Sequence, residues 1–294
     1  MAGLGYDEKI REFSEMLKSL LDEEREFVLA VVVGVKGSAA AKPGAKGAIL
    51  PDGRVLGWLG GWCSERSVLS AALEVLALGK PKLLRLVMSG SGAGRVGEDV
   101  IEVPTPCGGE VLVYMEPVYP PPQVIALGDV RVVRPLTRFA RELGFKTVAY
   151  TLQGERVEEA HLNLDGLDEL EKVRVDTHTY IVLASMGNTD FDLKALDKLL
   201  GRGAARIYIV ASVRRAEDIA RKLARKGVPP EELSRIESPA GVDIGAVTPE
   251  ELALSVMASI VAERRGGTRR PMEEVKGAPF KKVIAQLQAR KQGG

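Results

Sequence analysis

Apolar residues in the first third of the chain recur first at helical spacing and then at strand spacing. Residues 7–24 predict an amphipathic helix, because their apolar side chains share one stripe: Ile10, Phe13, Met16, Leu17, Leu20 and Leu21. The run EFVLAVVVGVKGS then predicts a buried strand that ends in a Gly-Ser turn. The next run, KGAILPDGRVLGWLGG, predicts a hairpin whose turn is Asp52-Gly53.

A second helix is predicted from about Ser64 to Leu78, with apolar residues on one face: Val68, Leu69, Ala72, Leu73 and Leu76. Gly79 is placed to end this helix, and Pro81 prevents its continuation. Strands are predicted near 82–88 and 110–116, on either side of the glycine-rich run SGSGAGRVG. That run lacks the Gly-Lys-Ser/Thr ending of a phosphate-binding loop, so a loop without that role is the favoured interpretation.

Beyond the proline-rich run PVYPPPQ, strand and helix patterns alternate. Strands are predicted at QVIALGD, KTVAYT, TYIVLAS and RIYIVAS, and helices at 133–143, 190–200 and 214–226. A last long helix begins at TPEE, with Thr248 as its cap and Glu251 placed to complete a capping box. This alternation predicts a parallel sheet with right-handed crossovers, which is a Rossmann-like layer.

The predicted fold class is therefore α/β, with a mixed α/β domain followed by a Rossmann-like parallel-sheet domain. The predicted boundaries are 1–117 for the first domain, 118–123 for a proline-rich linker, 124–266 for the second domain and 267–294 for a basic tail. Consecutive prolines favour an extended, semi-rigid spacer, which is why the linker is placed there.

Composition narrows the classes of function. The net charge of +1 over 294 residues gives no global attraction to nucleic acid or membranes. From Arg264 onward there are nine basic and two acidic residues, so this end is either an interaction arm or a solvated terminus. We expect no secretory signal and no membrane span, and two cysteines do not make a disulfide framework. These features predict a cytoplasmic protein.

Cys63 stands between paired glycines and the predicted helix start at Ser64. A thiol in that position faces unsatisfied backbone N–H groups and the positive end of the helix dipole, which favour the thiolate. Gly60 and Gly61 would allow close approach of a backbone or a flat ligand. The alternative is a buried structural cysteine, the commoner role of an unpaired cysteine.

Other candidate sites are weaker. Cys107 lies between Pro106 and the pair Gly108-Gly109, which suggests a shaped loop. A zinc site would need both cysteines and both histidines without any known ligand spacing, so no metal site is predicted. Gly128 follows the first strand of the second domain, but Val130 stands where a dinucleotide fingerprint needs glycine. Arg131 could hold a phosphate, or it is an ordinary surface arginine.

Several segments, in order, resemble the xanthine dehydrogenase accessory factor (XdhC/CoxI) family. They are KGSAAAKPGAKGAI, GWLGGWCSE, CGGEVLVYMEP, ALGDVRVVRPLTRFARELGF, ASVRRA and SPAGVDIGAVTPEELALSVMASIVAERRG, within roughly 27–266. The chain resembles a divergent member. Residues 39–41 are all alanine where the family has Ser/Thr-Pro-Arg, and Val130, Arg131 and Met186 replace family glycine and histidine residues. These departures predict weak nucleotide binding in the second domain.

The resemblance implies a function. Members bind molybdenum cofactor (molybdopterin), keep it while a sulfido ligand is installed, and pass it to an apo molybdenum hydroxylase such as xanthine or carbon monoxide dehydrogenase. It implies as partners that apo-enzyme, a cysteine desulfurase or other sulfur donor, and a second copy of the chain, since members are commonly dimers. A soft thiol suits such a sulfur-rich cofactor. This implies a cofactor-insertion chaperone more than a turnover enzyme.

The predicted site follows from the residues and the resemblance together. Cys63 and Cys107 are the predicted reactive residues, as sulfur-contacting or persulfide-carrying thiols or as a reversible pair. The predicted cofactor-binding residues are Gly37, Ser38, Gly60, Gly61, Glu65, Gly108, Gly109, Gly128, Arg131, Ser212, Arg214 and Asp243. Two alternatives stay open: an NAD(P)-dependent or thiol-based oxidoreductase that uses the Rossmann-like half, and a module that only bridges the hydroxylase and a sulfur donor.

Overall fold

The computed structural model describes residues 4–60, 62–89, 94–95, 97–104 and 108–292. The chain forms two compact units, one up to Pro120 and one from Pro121. Among the described helices, none combines the length and the apolar character that crossing a bilayer requires.

The first unit is built on a seven-stranded mixed sheet. Its elements are α1 (Leu4–Asp22), β1 (Phe27–Gly37), β2 (Lys46–Ile49), β3 (Val55–Trp58), α2 (Trp62–Leu78), β4 (Lys82–Ser89), β5 (Gly94–Arg95), β6 (Val100–Pro104) and β7 (Gly109–Val118). The strand order is β3-β2-β1-β7-β4-β6-β5. Only the pair β4 and β6 is parallel among the described pairs, and the others are antiparallel.

Helix α2 covers one face of this sheet. Its buried residues Val68, Ala72 and Val75 pack against alternate residues of β1, β4 and β7, such as Val32, Leu86 and Val113. The first helix contributes Phe13 and Leu20 to a smaller cluster with Phe27, Ala48 and Leu50. The predicted apolar faces were too wide, because Ile10, Leu21 and Leu73 are 41%, 54% and 42% exposed.

Local sequence signals account for several element ends in this unit. The hairpin of β2 and β3 is confirmed, with the Asp52 carboxylate accepting the Arg54 N–H at 3.0 Å and Gly53 at φ +84°. Gly79 ends α2 as predicted, at φ +65°, a conformation that glycine adopts without a Cβ penalty. The helix begins at Trp62, two residues before the predicted Ser64. Strands β5 and β6 were not predicted.

The second unit contains the predicted parallel sheet. Its elements are β8 (Gln123–Gly128), α3 (Val130–Glu142), β9 (Lys146–Thr151), β10 (Leu162–Asn163), a 3₁₀ helix (Leu167–Lys172), β11 (Thr179–Ala184), α4 (Thr189–Leu199), β12 (Arg206–Ile209), α5 (Val213–Arg225), α6 (Pro230–Leu233), β13 (Ile236–Glu237), α7 (Pro249–Arg265), α8 (Met272–Lys276) and α9 (Pro279–Gln292). Every strand pair is parallel.

The strand order β10-β9-β8-β11-β12-β13 is the doubly wound order 3-2-1-4-5-6 of dinucleotide-binding folds, so the Rossmann-like prediction is confirmed. Apolar cores lie on both faces of the sheet. Helices α4 and α5 pack on one face through Leu196 and Leu223, and α3 and α7 on the other through Leu136 and Ile260. The order reverses between β8 and β11, which makes the carboxyl ends of these strands the topological switch point.

The ends of the long helices in this unit follow their capping residues. The predicted capping box of α7 is confirmed: the Thr248 hydroxyl accepts the Glu251 N–H at 3.2 Å, and the Glu251 carboxylate accepts the Thr248 N–H at 2.9 Å. Helix α3 begins three residues before the predicted position 133, because Asp129 caps it. The predicted basic tail contains α8 and α9, with Phe280 84% exposed.

Candidate functional site

Two of the predicted glycine segments of the first unit meet where β1 ends and β7 begins. Gly37 pairs with Gly109, and the Ser38 N–H donates to the Gly108 carbonyl oxygen at 2.9 Å. A Cβ on Gly109 would lie 2.8 Å from the carbonyl oxygens of both Lys36 and Ser38. The two segments therefore approach through their backbones, and glycine is required at 109.

A third segment contacts the same region. A Cβ on Gly60 would lie 2.4 Å from the Ala41 Cα, and Gly60 has φ +113°. The backbone before α2 therefore packs against the chain that follows Ser38. The segment 37–41 contacts both described stretches that flank the two cysteines.

The structure describes only the backbone of Cys63 and no part of Cys107. Cys63 and Glu65 belong to the first turn of α2, so the prediction that Cys63 immediately precedes the helix was wrong by two residues. The predicted helix rested on an apolar face whose first residue is Val68. That pattern carries no information on where the first helical turn begins. The side chains of Cys63 and Glu65, the whole of Cys107, and Gly61 lie outside the described residues. Pairing of the two thiols stays a prediction.

In the second unit, Gly128 lies at the switch point. A Cβ at this position would lie 2.3 Å from the Ala184 carbonyl oxygen, and its φ is +143°. Glycine is therefore required where β8 and β11 approach each other at their carboxyl ends. Ligands of open parallel sheets bind in the crevice outside these ends.

Asp129, next to Gly128, organises the start of α3. One of its carboxylate oxygens accepts the Arg131 N–H and Nε–H, each at 2.9 Å, and the other accepts Arg131 Nη2–H at 2.9 Å and Gln153 Nε2–H at 3.2 Å. The hydrogen bonds from Arg131 hold the pKa of Asp129 at about 2. Arg131, predicted as a phosphate ligand, thus has its guanidinium fork bound to Asp129. The sequence analysis missed Asp129 and Gln153, although an aspartate before a helical run is an N-cap signal.

Three further predicted residues lie on the carboxyl-end loops of the same sheet. Ser212 caps α5, and its hydroxyl accepts the Arg215 N–H at 3.4 Å. Arg214 is exposed in the first turn of that helix. The Asp243 carboxylate accepts the Gly245 N–H at 3.2 Å, in the loop before α7. All three follow the carboxyl ends of strands β12 and β13, and their part in binding stays a prediction.

A buried charged pair lies near this edge and was not predicted. Asp192 is completely buried, and Arg215 Nη2 lies 3.2 Å from its carboxylate. Burial raises the pKa of Asp192, against the opposing effects of Ser185 and Arg215. Met186, predicted to replace a family histidine, follows β11, is 50% exposed and has φ +52°. In the described part of the chain, no three His, Cys, Asp or Glu side chains group as metal ligands.

Comparison with known proteins identifies the two units. A family model described as the XdhC and CoxI family matches residues 20–87, and one described as the XdhC Rossmann domain matches residues 124–260. Uncharacterized protein YqeB of Escherichia coli (strain K12) is 30% identical over 258 residues, which cover 85% of this chain and 45% of YqeB. A probable xanthine dehydrogenase subunit of Bacillus subtilis (strain 168) is 45% identical over 56 residues, which cover 19% of this chain and 17% of that protein.

A solved structure, described as a xanthine dehydrogenase from Bacillus halodurans, is 21% identical with a TM-score of 0.44, covering 90% of this chain and 98% of that one. The chain spans less than half the length of the two curated relatives, at 45% and 17%. The two family models follow each other in the order of the two units and together match more than two thirds of the residues. The chain therefore belongs to the XdhC and CoxI family, with an XdhC Rossmann domain as its second unit.

Proposed function

We propose that this protein assists the maturation of a molybdenum hydroxylase such as xanthine or carbon monoxide dehydrogenase. In this proposal it binds molybdenum cofactor as cargo, retains the cofactor while a sulfido ligand is installed, and passes it to the apo-enzyme. Family membership across both units carries the proposal. The relative named as part of a probable xanthine dehydrogenase supports the link to that class of enzyme.

The first unit is the proposed cargo site. The contacts of Gly37 with Gly109, and of Ala41 with Gly60, bring the stretches next to both cysteines to one segment of backbone. Among the described residues, none lies within 4 Å of a Cβ built on Gly108, and the proposal places a flat ligand against this backbone. Thiolates are soft ligands, which fits a cofactor that binds molybdenum through sulfur. Cys63 is the proposed contact to this cargo, with Cys107 as the second thiol and Glu65 as a polar contact.

The proposed partners follow from this role. An apo molybdenum hydroxylase would receive the cofactor, and a cysteine desulfurase or another sulfur donor would supply the sulfido sulfur. A homodimer is the proposed oligomeric state. The proposal places the protein among insertion chaperones, because it ascribes to the chain binding and transfer of a cofactor without turnover of a substrate.

Retention of the cofactor tests the role of Cys63. The Cys63→Ala variant, purified from a molybdenum-replete host, should retain on the order of tenfold less pterin than the parent, because a charge-assisted or metal contact of this kind contributes roughly 1.4 kcal/mol or more. Pterin is released by oxidation and measured by fluorescence against protein concentration. Ser70→Ala, an exposed change on the same helix α2, is the matched control and should retain pterin like the parent.

Two results would contradict the proposal. Equal pterin content in Cys63→Ala and the parent, with molybdenum present in both, would show that the thiol does not contact the cofactor. Bound NAD in the parent, with no pterin from a replete host, would favour the oxidoreductase alternative over the chaperone.

A further inference from the structure

The N-terminus of α3 is where a sheet of this strand order holds the phosphates of a dinucleotide. In this chain, the N–H groups of the first turn already have acceptors. The Val130 N–H donates to Gln153 Oε1 at 3.1 Å, and the Arg131 N–H donates to the Asp129 carboxylate at 2.9 Å. The N–H groups of Val132 and Val133 donate to the Asp129 carbonyl oxygen at 3.0 and 2.9 Å. A phosphate would find each of these four backbone N–H groups already bonded to an acceptor.

The Asp129 carboxylate is itself fully engaged. A carboxylate has about four acceptor positions, and this one accepts three N–H groups of Arg131 and one of Gln153. Its side chain is only 8% exposed, whereas that of Arg131 is 65% exposed. The negative charge therefore sits at the helix terminus, and the arginine closes over it from the solvent side. An incoming phosphate would have to displace a buried, hydrogen-bonded anion of its own sign.

We propose that Asp129 is a built-in anion which, with Gln153, fills the phosphate position at the switch point and restricts this unit to ligands that carry no phosphate there. The occupied helix terminus then decides the ligand class, independently of the glycine fingerprint. This inference concerns the second unit alone and does not depend on cofactor handling by Cys63.

The absence of glycine at position 130 is a competing explanation for weak phosphate binding. Substitutions at positions 129 and 130 distinguish the two explanations. If the absence of glycine at position 130 excluded phosphates, Val130→Gly would restore binding. If Asp129 excludes them, Val130→Gly would change little, and Asp129→Gly would open the site. Glycine is an acceptable N-cap, so this change retains the helix start with little loss from capping. It also releases the Arg131 guanidinium to face the anion.

The experiment is calorimetric titration of the full chain with inorganic pyrophosphate and, separately, with NAD. The parent and Val130→Gly should bind pyrophosphate only in the millimolar range. Asp129→Gly should bind it on the order of tenfold more tightly, and Asp129→Gly combined with Gln153→Ala more tightly still, since a second N–H group becomes free. Gln153→Ala alone should give a smaller gain.

Circular dichroism checks that each variant is folded. If Asp129→Gly does not fold, Asp129→Asn decides, because asparagine caps as well as aspartate but carries no charge; it should still gain several-fold in pyrophosphate affinity. Micromolar binding of pyrophosphate or NAD by the parent would overturn the proposal. So would folded Asp129 variants that gain nothing, or a gain in Val130→Gly that equals the gain in Asp129→Gly.

Discussion

The carboxyl group of Asp129 has a pKa of about 2 in the folded chain, against an ordinary value of 3.8, because Arg131 binds the ionised form. A lowered carboxyl pKa stabilises the fold above the unfolded-state value, and this contribution is lost as the pH falls through the folded-state value. The relevant window therefore runs from about pH 4 down to about pH 2.

This predicts a pH-dependent effect of Asp129→Asn. At pH 7 the variant should unfold with a free energy about 2 kcal/mol below that of the parent, from 1.36 kcal/mol for each unit of pKa change. The deficit should shrink as the pH approaches 2. Urea denaturation across this range measures it, with Asp165→Asn as the control, because that side chain is 81% exposed. A deficit that stays constant with pH would mean that the charge of Asp129 contributes nothing.

Individual residues divide into those that the sequence analysis found and those that it missed. Gly60 was found, because glycine there was predicted to allow close approach of a backbone, and a Cβ on it would lie 2.4 Å from the Ala41 Cα. Gln153 and Asp192 were missed because their partners, Val130 and Arg215, lie 23 residues away in each case. Contacts of that kind depend on how the loops of a parallel sheet meet at one edge, which no local pattern encodes.

Helices and strands were predicted best where capping residues and apolar period agree. Helix α7 has a threonine cap, a proline at its first residue and a glycine after its end, and its start was predicted correctly. Strand β6 was missed because VIEVP is short and lies next to a glycine-rich run. The apolar stripe of α1 was drawn too wide because Ile10 and Leu21 fit the helical period but lie beyond the strip that contacts the sheet.

The capping box of α7 gives a prediction for this element. Thr248→Ala removes the hydroxyl that accepts the Glu251 N–H, so the free energy of unfolding should fall by about 1 kcal/mol. Thr248→Ser keeps that acceptor and should stay within a few tenths of a kcal/mol of the parent. Chemical denaturation followed by circular dichroism makes the comparison. Equal losses in both variants would place the effect on the methyl group and not on the cap.

At the scale of the whole molecule, a mixed α/β domain followed by a parallel sheet was predictable from the sequence. The proline-rich run marks the boundary, and the alternation of strand and helix patterns after it indicates the parallel sheet. The order of strands within the first sheet was not. Its central strand β7 pairs with β1 and β4, and that arrangement depends on contacts far apart in sequence. The meeting of the segments that contain Gly37, Gly60 and Gly109 likewise depends on contacts far apart in sequence.

The basic tail is a feature of the whole molecule, because it concentrates positive charge at one end of an otherwise acidic chain. Helix α9 carries Lys281, Lys282, Arg290 and Lys291 and no acidic residue. Its described side chains are exposed, including Phe280 at 84%. Arg269 joins the preceding segment to Glu237 at 2.8 Å, so removal of residues 278–294 leaves that attachment in place.

We predict that this deletion changes the melting temperature by less than about 2 °C, because exposed side chains contribute about 0.5 kcal/mol or less. It should weaken binding to an apo hydroxylase at low salt, and the difference should disappear near 0.5 M salt, where exposed charges are screened. Binding is measured by surface plasmon resonance across a salt series. The double change of Lys281→Glu and Lys282→Glu keeps the helix length and should reproduce the loss, whereas Phe280→Ser should not if charge is the cause. Binding that is equally strong in the deletion and the parent at low salt would identify the tail as a solvated terminus.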